Sequence, residues 1–383
     1  MKRMKRILFI GHYANRTGAP IVLLNFLKWL KSNTHEQFEL IVARGKELVE
    51  EYKAICATTH LGLDAESLYE KIIRKITGKT KLERLNLARF CNQKHIGLIY
   101  SNTIVNGDIL ELISKSNIPI ISHIHEMELT WRLGKENAQK TVKYSKEFIS
   151  ASESVSKFLT DKLCVKSDKI TKVYEFIEPV VLSDEDYKRK RIDVRKSLKV
   201  SDDDILVVSS GTVDLRKGAD LFIQVAFKAL KKRPNLKFVW VGMYNDEWLR
   251  HLTAIDAHNL GISDSVQFIG EKTNPIDYFA SADIFLMTSR EDPFPLVNLE
   301  NASLGNPIIC FDKSGGSSEL VGDDGGCVVP YLDVEKMAAA VVHLADNPFL
   351  RSEYGKNIRK RVIDNFTVDK QAPIIYNIIK KYL

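Results

Sequence analysis

The chain reads as an α/β protein built from two open sheets of parallel strands. Two observations predict this: short apolar runs alternate with helical stretches almost throughout, and one charged stretch near the middle interrupts the alternation and contributes no apolar run. A third is length, since 383 residues exceed what one hydrophobic core usually covers. In the first half the runs ILFIG, FELIVA, GLIYSN, IPIISHI, EFISAS and ITKVY are bounded by polar or turn residues, as buried strands are. Helical stretches separate them, including one around Pro20, a residue suited to a first helical turn. In the second half ILVVSSG, KFVWVG, VQFIG, DIFLMTS, NPIIC and CVVP repeat the pattern. The expected organisation is a first domain over 1–182, a linker over 183–203, a second domain over 204–365, and a terminal helical stretch over 366–383 that crosses back to the first domain.

Composition bounds the setting. The five cysteines are scattered, without the close pairs that zinc or redox motifs need, so a reduced compartment is expected. No run is long and apolar enough to span a bilayer, and the basic start MKRMKR leads into too short an apolar run for a signal peptide. The expectation is a cytoplasmic protein. Net charge is +7, unevenly spread: residues 1–182 hold 29 Lys and Arg against 20 Asp and Glu, the remainder 27 against 29. Much of the excess lies in MKRMKR and in a stretch read as a helix from Lys71 to Arg89, where Ile72, Ile73, Ile76, Leu82 and Leu85 interleave with cations. Such a helix either lies on an anionic membrane surface, making the protein peripheral at the inner membrane face, or packs its apolar residues on the core. Without aromatic interleaving or a recognised motif, nucleic acid is not expected as a partner.

Neither half has the glycine fingerprint of dinucleotide folds or a Walker loop. Ligands of open parallel sheets sit beyond the carboxyl ends of the strands, which directs attention to the residues after each run. After ILVVSSG, Arg216 and Lys217 stand directly before a helix start at Gly218. Paired cations beside free N–H groups suit a diphosphate, although an exposed basic pair capping nothing has the same sequence. After DIFLMTS, the run SREDPFPLVNLE places Asp292 and Glu300 on either side of a turn-to-helix junction, where Leu296 and Val297 can offer N–H groups to an anion. A carboxylate at Glu300, one turn into the helix, can accept from both hydroxyls of a ribose. Gly315 and Gly316 precede another helix start, and singly each such pair is as well explained by a tight turn. No cluster with metal-ligand character is present.

The segments GT…RKG, FIGEKTNPIDYFASADIFLMTS, SREDPFPLVNLE and GNPIICFDKSGG…ELV…GG…VVP together resemble the C-terminal domain of glycosyltransferase family four, over about 160 residues. The resemblance implies the GT-B fold, with two Rossmann-like domains whose parallel sheets face a central cleft. It implies retaining transfer from a nucleoside-diphosphate sugar, UDP- or GDP-linked, to a glycan or lipid-linked hydroxyl, with no metal or other cofactor. Carried over residue by residue, the donor site would comprise Gly18, Gly211, Arg216, Lys217, Glu291, Phe294, Pro295, Leu296, Val297 and Glu300, with Asp292 facing the transferred sugar. Three positions depart from the family pattern: Asp292 replaces a glutamate, Thr212 an arginine, and Pro295 a glycine. PIISHIHEME resembles the strand ending in the active-site histidine, here His125 followed by Glu126, with His123 turned to the other strand face or into the sheet. VYEFIEP lacks the family's Asn-Gly and receives no role. A nucleotide-sugar epimerase or hydrolase on the same fold, or a non-catalytic binding relative, remain the competing expectations.

Overall fold

A computed structural model describes residues 5–64 and 68–383. Met1–Met4 of the basic start, and the side chain of Ile72, lie outside the described residues. The chain divides into two compact units, Met1–Phe176 with Val368–Leu383, and Ile177–Thr367.

In the first unit strands β1 (Arg6–Tyr13), β2 (Phe38–Arg44), β3 (Ala57–His60), β4 (Ile96–Ser101), β5 (Ile120–Ile124), β6 (Glu147–Ser150) and β7 (Ile170–Lys172) form one sheet. Its order is β3-β2-β1-β4-β5-β6-β7, and every pairing is parallel. The six expected runs are all strands. The seventh, β3, is a short edge strand, and its sequence ATTH is largely exposed, so no apolar run announced it. Residues Lys71 to Arg89 are not one helix. They fall into helices Leu68–Thr77, Lys81–Arg84 and Leu87–Gln93, because Gly78 turns at φ +67° and a Thr80/Glu83 capping box starts the second. Leu82 and Leu85 pack on the core, whereas Ile76 is exposed.

The second unit contains β8 (Ile205–Ser210), β9 (Leu236–Val241), β10 (Val266–Phe268), β11 (Ile284–Met287), β12 (Ile308–Phe311) and β13 (Gly326–Val329), matching the six expected runs. The order is β10-β9-β8-β11-β12-β13, again all parallel. In both sheets the order reverses beside the first strand of the unit, between β1 and β4 and between β8 and β11. That is where such sheets open a crevice for ligands.

Two boundaries differ from the sequence reading. Residues 183–203 are not a linker: Asp184–Ser197 is a helix of the second unit, and the units meet in sequence at Phe176 and Ile177. Its cations are structural. Arg191 and Arg195 both reach Asp283, at 2.6 and 3.1 Å, and Arg195 also donates to the Ser201 and Asp204 carbonyls. Val194 and Leu198 are buried beneath them, so arginine stems cover apolar surface where the sequence showed only charge. The terminal helix, Val368–Lys380, belongs to the first unit, where it packs on the helix Gly18–Asn33 and buries Ile375, Ile378 and Ile379. No helix among the described residues is long and apolar enough to cross a membrane.

Candidate active site

In the second unit the loops after β8, β9, β11 and β12 are tied into one platform. Gly218, at φ +80°, begins the helix Ala219–Leu230, and its carbonyl accepts from the Thr288 hydroxyl at 2.9 Å. A β-carbon there would stand 2.0 Å from the Thr288 carbonyl oxygen. Asp292 and Gly315 form a bridge between the loops after β11 and β12, with the Asp292 N–H donating to Ser314 O at 2.7 Å. Gly315 lies at φ +124° and a β-carbon would reach 1.8 Å from Asp292 O, so only glycine admits that approach.

The predicted charged residues converge here. The Lys217 ammonium is ion-paired with the buried Asp292 carboxylate, and the Lys217 N–H donates to Asp214 at 2.6 Å. Gly211 faces the lysine stem, where a β-carbon would stand 3.3 Å from Cε, so the glycine leaves the stem room. Arg216 donates to the Glu291 carbonyl at 2.9 Å, and its own carbonyl accepts from the Arg290 N–H at 2.8 Å. Arg290 in turn clamps Asp220 with two bonds of 2.8 Å, which fixes the loop carrying both cations. Pro295 precedes the helix Leu296–Ser303 and supplies no side-chain cap to its first turn, which holds the N–H groups of Leu296 and Val297. Glu300 sits in that helix, and burial pushes its carboxyl up to about 7. No described residue hydrogen-bonds its carboxylate, which leaves the group available to a ligand.

Two predicted donor residues are placed otherwise. Phe294 is buried and its ring packs on Phe366, with centroids 5.4 Å apart. Gly18 is exposed at the start of the helix Gly18–Asn33, which belongs to the first unit.

The first unit holds a second polar constellation. His125, just past β5, has its Nδ1 2.5 Å from Glu175 and its Nε2 3.0 Å from Asn102 Oδ1. Burial opposes the imidazolium, but Glu175 and Glu126 outweigh it and raise the His125 pKa above its usual value. Glu126 accepts from the Thr103 hydroxyl and from the N–H groups of Ile104 and His125, each at 3.1 Å. His123 does not point away from His125. Residues two apart share a strand face, and the two rings lie 3.9 Å apart, with His123 bonded to the Tyr100 hydroxyl in the core. Asn102, Thr103 and Glu126 also line a cavity of about 620 Å³, together with His12, Tyr13, Arg44 and Leu133.

Sequence reasoning missed Glu175, Asn102 and Arg44. Each stands at or just beyond the carboxyl end of a strand, and that position was the only available signal. Glu175 lies in VYEFIEP, the segment given no role. Among the described residues no group of three or more His, Cys, Asp or Glu side chains is arranged to hold a metal ion.

Residues 190–361 match the model of the family described as glycosyl transferases group 1. The chain is 25% identical over 276 residues to an uncharacterised glycosyltransferase of Methanocaldococcus jannaschii, covering 69% of each chain. It is 27% identical over 246 residues to the lipopolysaccharide core biosynthesis mannosyltransferase LpsB of Rhizobium meliloti, covering 60% of this chain and 70% of that one. The crystal structure of Anabaena HepE in complex with UDP and glucose superposes with a TM-score of 0.81 at 16% identity, covering 98% of this chain and 99% of that one, which shows a shared fold. The matched segment spans β8 to β13 and carries the platform just described, so the second unit is similar to glycosyl transferases group 1 domains and the chain shares the GT-B fold.

Proposed function

We propose that the protein moves a sugar from a nucleoside-diphosphate sugar, UDP- or GDP-linked, to a hydroxyl of a glycan or lipid-linked acceptor, with retention at the anomeric carbon. The observation that carries the donor reading is the Lys217–Asp292 ion pair at the carboxyl ends of β8 and β11, with Glu300 buried in the helix that follows the Asp292 loop. In the ligand-free site Lys217 is bonded to Asp292. An incoming diphosphate competes for the ammonium and frees the Asp292 carboxylate for hydroxyls of the transferred sugar. Glu300 accepts from the ribose hydroxyls, which replaces the water its carboxylate has lost.

When the glycosidic bond to phosphate breaks, the departing nucleoside diphosphate gains negative charge. Lys217, Arg216 and the N–H groups of Leu296 and Val297 are fixed in advance to meet it, and such preorganised donors lower the barrier most. No step of this scheme calls on a metal. His125, whose charged form Glu175 favours, offers positive charge from the first unit, whose cavity takes the acceptor. The relatives' glycolipid and lipopolysaccharide names agree with an acceptor in cell-surface polysaccharide or glycolipid synthesis, and the basic N-terminal half suits an anionic inner membrane face.

The test is thermal stabilisation by a panel of UDP- and GDP-sugars, because a ligand that binds only the folded state adds about 2.7 kcal/mol at a hundred times its Kd. Selective stabilisation by one donor, lost in both Lys217→Ala and Glu300→Ala, supports the reading. Equal stabilisation of wild type and both variants removes the donor-site assignment.

A further inference from the structure

The cavity of the first unit has a charge pattern that bears on what enters it. Arg44 is the last residue of β2, at the carboxyl edge of the sheet, and lines the cavity wall. Its backbone is pinned: the Ala14 N–H donates to Arg44 O at 2.8 Å, and Gly45 follows at φ +69°, where a β-carbon would press on Ala14 N at 2.9 Å. The guanidinium is held by Nε donating to Leu63 O at 3.1 Å and by Nη1 bonded to His12 Nε2 at 3.0 Å.

Those bonds fix the state of His12. Arginine has only donors, so His12 Nε2 must accept, and the ring proton resides on Nδ1. There it donates to Asn106 Oδ1 at 3.2 Å, and Asn106 is oriented for this because its Nδ2 donates to Ile10 O and Ser101 Oγ, both at 3.1 Å. Burial first, and the neighbouring Arg44 second, push His12 down to about 4, so it stays neutral at physiological pH. His12 is therefore an uncharged brace for Arg44.

Arg44 forms no ion pair with any described carboxylate, and Nη2 has no partner among the described residues. The acids around it are engaged elsewhere. Asp64 accepts from the Gly45 N–H at 2.9 Å, and Glu126, across the cavity, is held by Thr103, Ile104 and His125. Several other arginines are neutralised: Arg6 by Glu39, Arg290 by Asp220, and Arg191 and Arg195 by Asp283. A braced guanidinium with no ion pair among the described residues, lining a cavity, is the arrangement that recognises a phosphate or carboxylate.

We infer that the acceptor of this glycosyltransferase bears an oxyanion, a phosphate or a carboxylate, and that Arg44, braced by His12, selects it in the cavity of the first unit. The inference rests on the reading that this cavity takes the acceptor.

Calorimetric titration of the full chain at fixed ionic strength tests it, with glycerol 3-phosphate, D-glycerate and vesicles of phosphatidic acid as probes and glycerol as the neutral control. The expected result is that one probe binds, that Arg44→Gln weakens it at least about tenfold, that Arg44→Lys retains part of the affinity, and that Lys217→Ala leaves it unchanged. Whichever probe responds names the source of the anion: small phosphate, small carboxylate or lipid headgroup. Three outcomes overturn the inference: no probe binds better than glycerol, Arg44→Gln binds as wild type does, or affinity disappears only in Lys217→Ala. UDP and GDP titrated into the same samples report on the donor site separately. Nucleotide binding without an Arg44-dependent anion overturns only this inference, and the reverse pattern overturns only the donor reading.

Discussion

Glu175 and Glu300 show opposite uses of a buried acid. Glu175 is bonded to His125 and, with Glu126, raises the pKa of that ring against the cost of burial. A histidine whose folded pKa is raised contributes stability that is fully present below its unfolded value of about 6.5 and is lost as pH rises through the folded value. Glu175→Gln should therefore destabilise the protein most below about pH 6.5 and less in alkali, as chemical denaturation at several pH values will show. If His125 acts as its protonated form, the alkaline limb of the pH–rate profile should move to lower pH in the same variant. Glu300 has no such partner: its carboxyl is raised from 4.5 to about 7 by burial alone. The unfolded chain binds fewer protons between those values, so ionisation there costs stability as pH rises. Glu300→Gln should stabilise the ligand-free protein at pH 8 by on the order of 1–3 kcal/mol and change little at pH 5, while weakening donor binding at pH 8. A variant that is less stable than wild type at pH 8 would contradict the account.

Elements were more legible in the sequence than the residues that join them. Twelve of the thirteen strands among the described residues were foreseen because parallel strands buried on both faces are short apolar runs with sharp ends. Edge strand β3 and the helix Asp184–Ser197 were not, since one is exposed and polar and the other hides its packing under arginine stems. The donor platform was legible for a similar reason: Lys217, Asp292 and Glu300 lie directly after strands or at a helix start, where position carries chemical meaning. Glu175 was not, as its role depends on β7 lying beside β6, and β6 beside β5, a neighbourhood set by sheet order. Loop joints can be tested at the element scale. Gly315→Ala forces a β-carbon against the Asp292 carbonyl and should cost roughly 2–4 kcal/mol in urea unfolding, together with a loss of donor-induced stabilisation. Gly18→Ala meets no atom within 4 Å and should leave both measurements nearly unchanged.

At the scale of the molecule, the chain leaves the first unit at Phe176 and returns to it at Val368. The returning helix is fastened by Tyr376 to Glu36 at 2.9 Å and by Lys381 and Tyr382 to Glu147, and it buries Ile375, Ile378 and Ile379. Deleting 368–383 exposes that apolar face and removes those bonds, so the first unit should unfold several degrees earlier while nucleotide binding by the second unit persists. Differential scanning calorimetry with and without UDP or GDP separates the two effects. A uniform loss of both transitions would show that the units do not melt independently.

The same return path orders events during translation. The 191 residues from Ile177 to Thr367 emerge from the ribosome before the closing helix of the first unit does. At about 5–20 residues per second that interval is on the order of 10–40 s, time enough for the second unit to fold completely. Throughout it, the nascent first unit presents an unsealed greasy flank, and that flank, more than any finished surface, is where a chaperone would have to stand guard.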